Sequence, residues 1–223
     1  SLAKVVDRPM AGFAHGASGI AWALTLATKL LAEPRYAAAA ISALEYERGL
    51  FDPSTASWLD IRTTPPRSPV LWCHGAAGIG MSRLAMSGVL DDPRIGAELK
   101  IAVDAVVRAG FGHNYSLCHG DLGNLDLLLQ TASLSATGSS IASRHAMAVL
   151  DGIDTHGWVC GLPGGVEAPS LMVGLAGIGY GLSAVCKLGL LVVGSAFSAI
   201  GALVLIDRTG KGIRTAPRDA MIS

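Results

Sequence analysis

The 223-residue chain is about the size of one large domain or two small ones. Hydrophobic residues make up 51% and charged residues 15%, so the chain has ample apolar surface to bury and is not a disordered segment. Seventeen basic residues balance seventeen acidic ones, which excludes the basic excess of a nucleic-acid binder, and four cysteines are too few for a disulfide scaffold.

From Ser1 the chain has no charged-then-apolar leader, which reads as a fragment or a processed product. The first motif, His15-Gly-Ala-Ser-Gly-Ile20, opens an apolar helical run to Leu31. An Ala-rich helix carrying Glu45, Glu47 and Arg48 is expected over Arg35–Phe51. Loops follow at Asp52-Pro53-Ser54 and Thr63-Thr64-Pro65-Pro66. His74-Gly-Ala-Ala-Gly-Ile79 then opens a second apolar run to Leu90. Over Ala97–Ala109, Leu99, Val103, Val106 and Val107 recur at helical spacing. The third motif, His119-Gly-Asp-Leu-Gly-Asn124, precedes an apolar run to Leu134, and a further helix is expected over Ile141–Leu150. After the loop Leu162-Pro163-Gly164-Gly165, Val173-Gly-Leu-Ala-Gly-Ile178 opens the last run of this kind, to Leu191.

The four motifs share x-Gly-x-x-Gly, with first positions 59, 45 and 54 residues apart. A period near 50 fits a unit of two helices and their connections, and such self-similarity marks a repeat architecture. Apolar helices alternate with more polar ones and strand signals are nearly absent. The expected fold is all-α: a partial α/α toroid, or barrel, of helix-pair repeats.

Cysteine and histidine gather at the repeat loops, as Cys73-His74 and Cys118-His119, with His15 at the matching place in the first motif. A ring of repeats would carry these loops to one end. Two cysteines and a histidine with one open position make a recognised zinc arrangement. The alternative is that both thiols fill the core, where free cysteine is common. Cys160 and Cys186 read as inert thiols, Asp121 and Asn124 as helix caps, and His113, His145 and His156 as exposed. His74 reads as a residue behind a ligand, and Trp22, Trp58, Trp72 and Trp158 as packing residues, with a wall beside Cys73 the alternative for Trp72.

The stretches around these motifs, Gly12–Ile20, Trp72–Ile79, Leu117–Asn124 and Gly174–Tyr180, resemble the lanthionine synthetase C-like family. The resemblance is to the C-terminal cyclase domain of class II (LanM-type) lanthipeptide synthetases, over about residues 10–187, and Cys160–Gly165 is similar too. It implies a zinc ion on Cys73, Cys118 and His119. The implied activity joins a peptide cysteine thiol to dehydroalanine or dehydrobutyrine in a dehydrated precursor peptide, giving lanthionine or methyllanthionine. A free thiol, with a pKa of about 8.5, is mostly protonated at neutral pH, and zinc removes that proton. The enolate left by attack needs a proton at Cα, and His15 matches the family histidine for that role.

The family's earlier aspartate has no counterpart here, since Asp7 lies outside its motif, and about four helix pairs stand where the family has about seven. Residues 1–187 are therefore expected to be an N-terminally truncated cyclase-like domain with exposed inner apolar faces. The alternative is an inactive remnant that binds zinc or peptide without catalysis. Residues 188–206 are 19 uncharged residues, long enough for one bilayer span. The basic stretch after them resembles a cytoplasmic loop of major facilitator superfamily transporters. The expected location is cytoplasmic, with membrane association through 188–206; the competing expectation for that segment is one more buried helix.

Overall fold

The computed structural model describes residues 8–193, with side chains through Cys186. The described residues are mostly helical and fall into two compact units that divide after Gly110. The first holds α1 (Ala17–Leu31), α2 (Pro34–Arg48), β1 (Phe51–Asp52), β2 (Ser57–Trp58), α3 (Ala76–Met86) and α4 (Arg94–Ala109). The second holds α5 (Asp121–Thr131), α6 (Gly138–His156) and α7 (Leu175–Val193).

Within the first unit α1 pairs with α2 and α3 with α4, and α1 also packs on α3. In the second, α5 packs on both α6 and α7. The expected alternation of apolar and polar helices holds best at α3 and α5, where most positions are buried. On α4, Ile95, Leu99, Ala102 and Val106 form the buried stripe, turned from the expected Val103 and Val107, which are half-buried. On α6 only Ala142, Ala146 and Val149 are buried. Apolar α1 is the exception to the inner pattern: Ile20, Leu26, Leu30 and Leu31 are exposed, and its buried face is Ala17, Ser18, Ala21 and Thr25.

The helix expected over Arg35–Phe51 stops at Arg48, because Gly49 ends it. Phe51 pairs instead with Trp58 in a two-residue hairpin whose turn is held by the Asp52 carboxylate on Ser54 and Thr55. Trp58 sits in the core with Ile79, Ala102 and Ala105. A second cluster joins Leu44 of α2 to Met86 of α3 and Ile95 of α4.

The four Gly-x-x-Gly motifs share one local structure. The residue after the first glycine donates its N–H to a carbonyl seven residues back: Ala17 to Met10, Ala76 to Pro69, Asp121 to Asn114, Leu175 to Ala168. The second glycine lies under the carbonyl six residues back: Phe13 over Gly19, Trp72 over Gly78, Leu117 over Gly123, Leu171 over Gly177. In each case a Cβ would stand inside that oxygen's contact distance. The incoming loop thus folds over the first turn of its own helix and uses N–H groups that a helix start leaves without partners. A loop carbonyl does here what a capping side chain does elsewhere, and α1, α3 and α5 have no side-chain cap. This fold-back holds the Cys-His pairs immediately ahead of α3 and α5.

Among the described residues no helix is long and apolar enough to cross a membrane. Residues 188–193 continue α7; the rest of the expected span, and the transporter-like stretch after it, lie outside the described residues.

Candidate metal centre

Cys73 and His74 end the loop that leads into α3, and both are buried. An isolated bridge between Val70 and Gly75 closes that loop. At Gly75, φ is +118°, in the region that favours glycine, and the carbonyl of Pro69 occupies the place a Cβ would take. The loop carrying His15 lies against the same backbone. Ala14 donates to the carbonyl of Cys73 at 3.0 Å, and Gly12 approaches so closely that a Cβ would meet the His74 Cα at 3.1 Å.

His15 itself is exposed, with its ring centroid 5.3 Å from that of His74. Burial, then the positive charge of Arg62, holds the His74 imidazole below its ordinary range, so it is neutral at pH 7. His15 lines a cleft of about 720 Å³ with Phe13, Ile20, Trp22 and Trp72. Trp72, expected to be a packing residue, is edge-on to Phe13 at 4.9 Å and forms part of this aromatic cleft.

Cys118 and His119 end the loop that leads into α5, and both are half-buried. The N–H of Cys118 donates to Met172 at 2.8 Å. Nε2 of His119 is 2.7 Å from the carbonyl of Gly161.

Among the described residues, Cys73, Cys118 and His119 are the group of cysteines and histidines that could hold a metal ion. The set is two thiols and an imidazole, with no carboxylate, which is a donor chemistry that suits zinc rather than magnesium or calcium. His15 and His74 are not members of this set.

The family model for lanthionine synthetase C-like proteins matches residues 5–188, a span that contains all four motifs and the Cys-Cys-His group. The chain belongs to the lanthionine synthetase C-like family. It is also 30% identical over 193 residues to the lacticin 481/lactococcin biosynthesis protein of Lactococcus lactis subsp. lactis. That alignment covers 78% of this chain and 20% of the relative, so the chain spans about a fifth of the length of the curated protein it matches.

Several side chains of this lanthionine synthetase C-like chain do something other than their residue types suggest. Asp121 does not cap α5; its carboxylate accepts from the N–H groups of Gly112 and His113 at 3.1 and 3.0 Å. Burial outweighs those two bonds and raises its pKa. Asn124 lies inside α5, fully buried, rather than at its start. His145 stacks on Phe111 at 4.3 Å, whereas His113 and His156 are exposed as expected. Cys160 and Cys186 are buried thiols.

Sequence reasoning missed the group behind the His15 loop. Glu47 and Arg83, both fully buried, pair at 2.7 Å. Glu47 also accepts from the Gly12 N–H at 2.8 Å and the Ser18 hydroxyl at 2.6 Å. Arg83 continues to Glu98 at 2.5 Å. One arginine in an otherwise apolar run was the only available signal.

Proposed function

We propose that this chain is a zinc-dependent cyclase domain of lanthipeptide biosynthesis. It would close lanthionine and methyllanthionine rings by adding a peptide cysteine thiol to dehydroalanine or dehydrobutyrine. The observation that carries the reading is the donor set of Cys73, Cys118 and His119, two thiols and an imidazole, in a chain of this family. The family's toroidal arrangement is part of the same proposal.

Cys73 and Cys118, through their sulfurs, and His119, through an imidazole nitrogen, would hold the metal. Bound zinc supplies the acidity that keeps a substrate thiol deprotonated at neutral pH. In the reaction a sulfur–carbon bond forms at Cβ of the dehydro residue, and the alkene electrons move onto Cα and its carbonyl. His15 gives Cα its proton. The thiol's proton leaves and another arrives at Cα, so the product is an isomer of the substrate.

His15 suits that role because it is exposed at the cleft, while its loop is fastened to the Cys73 carbonyl. The aromatic side chains of Phe13, Trp22 and Trp72 offer that cleft's peptide an apolar bed. The buried, neutral His74 would stand behind the site rather than act as an acid.

Two measurements test the proposal together. Purified protein should contain about one zinc per chain, and Cys73→Ala or Cys118→Ala should lose it. Incubation with a dehydrated precursor peptide should consume free thiols, read by alkylation, with no change in unalkylated mass. Zinc retained in full by both cysteine variants overturns the ligand assignment. Thiols left untouched by the zinc-loaded chain overturn the cyclase assignment.

A further inference from the structure

The proposed chemistry gives the Cys160–Gly165 loop no role. We propose that Gly161 is a positioning residue: its carbonyl fixes the tautomer and orientation of the His119 ring, so that Nδ1 is the metal-binding nitrogen. The inference deepens the zinc reading and rests on it.

A carbonyl oxygen can only accept. At 2.7 Å from Gly161, Nε2 of His119 must therefore carry the hydrogen. A neutral imidazole has one N–H, so its lone pair is on Nδ1. A histidine ligand held this way has a fixed ring and a more basic donor atom.

The carbonyl is itself held. Gly161 donates its N–H to Val173 at 2.8 Å, and Cys118 donates to the adjacent Met172 at 2.8 Å. Tyr115 donates to Val159 at 2.9 Å. Three backbone bonds thus tie the His119 loop, the Gly161 loop and residues 172–173 into one clasp. The His119 backbone is also fixed: its N–H faces the Ser116 hydroxyl at 3.5 Å and its carbonyl accepts from the Asn114 amide at 3.4 Å.

The position requires glycine. A Cβ on residue 161 would stand 2.6 Å from Oγ of the fully buried Ser116 and 2.8 Å from Nε2 of His119. The serine hydroxyl could rotate away, but the Ser116 Cβ, 3.0 Å off and carried by a backbone whose N–H is bonded to Asn114 at 2.9 Å, keeps the new methyl from moving that way, so the His119 ring must give as well.

The test begins with the metal-free chain, its histidines labelled with ¹⁵N, at about pH 8, where a free imidazole is neutral. Long-range ¹H–¹⁵N correlation should show His119, identified by its loss in His119→Gln, as the Nε2–H tautomer. One equivalent of zinc should shift Nδ1. Gly161→Ala should weaken zinc by about 10–100-fold in competition with a chromophoric chelator, with metal-free helical circular dichroism unchanged. Zinc on Nε2, an Nδ1–H tautomer, or a Gly161→Ala affinity within twofold of the parent overturns the inference and leaves the zinc reading standing. A parent chain that takes up no zinc overturns both. Should Gly161→Ala fail to fold, the spectra of the parent chain decide alone.

Discussion

The N–H of Ala14 donates to the carbonyl of Cys73 at 3.0 Å, one residue from the His15 side chain. The candidate proton donor and a candidate ligand are therefore carried by two stretches of backbone bonded to each other. Glu47 reinforces the join from below by accepting from Gly12 at 2.8 Å.

Glu47 is more than an anchor for that loop. It shares Arg83 with Glu98, and all of this lies in the core of the first unit. Removing one member of a buried pair leaves the other charge without compensation, at about 3–5 kcal/mol. Arg83→Ala should lose about that much stability in urea titration, because two carboxylates are stranded. Glu47→Gln, which keeps an acceptor for Gly12, should lose less. Equal stability of Arg83→Ala and the parent chain would show that the network contributes nothing.

Asp92 gives the first unit a definite acid response. The Arg94 side chain, then its N–H and Arg48, hold the Asp92 carboxyl well below the usual carboxylate range. A carboxyl whose pKa is depressed on folding adds stability above its unfolded pKa of about 3.9, and that stability is lost as pH falls through and below this value. Asp92→Asn should therefore lower the melting temperature at pH 7, and the gap from the parent should shrink as pH approaches 3. A gap that is constant from pH 7 to 3 counts against the ion pairs as its source.

The shared turn of the repeats separates two glycines that look alike in the sequence. Gly177 lies under the Leu171 carbonyl, whereas a Cβ at Gly96 of α4 meets nothing. Gly177→Ala should destabilise by about 1–3 kcal/mol through overpacking. Gly96→Ala should stabilise by about 0.5–1 kcal/mol, because alanine is the better helix former. Thermal melts of the two variants should move in opposite directions.

Much of this was legible in the residues. The four Gly-x-x-Gly motifs announced their helices, because the glycines are demanded by the loop carbonyls above them. Cys73, Cys118 and His119 stood out because thiol and imidazole recur beside those glycines. Short-range pairing was hidden: Phe51 reads as the end of a helix until Gly49 and the Asp52 turn are seen to redirect it to Trp58. Asp121 reads as a cap because its type and place fit, yet two loop N–H groups claim its carboxylate. The pairing of Glu47 with Arg83, 36 residues away, leaves no periodic trace at all. Nor does Gly161, whose role depends on a ring 42 residues earlier.

His15 offers the sharpest separation of metal binding from proton transfer. It is exposed, stands 5.3 Å ring to ring from His74, and lies outside the Cys-Cys-His group. Its loop is held by backbone bonds from Gly12 and Ala14, which the His15 side chain does not make. His15→Asn should therefore fold, bind zinc as the parent chain does, and still lose cyclisation by about 10²–10⁴-fold, the usual contribution of a positioned acid. The readouts are zinc content by mass spectrometry and thiol consumption in single-turnover reactions with a dehydrated precursor. An unchanged rate removes His15 from the chemistry, and lost zinc makes it part of the metal's support instead.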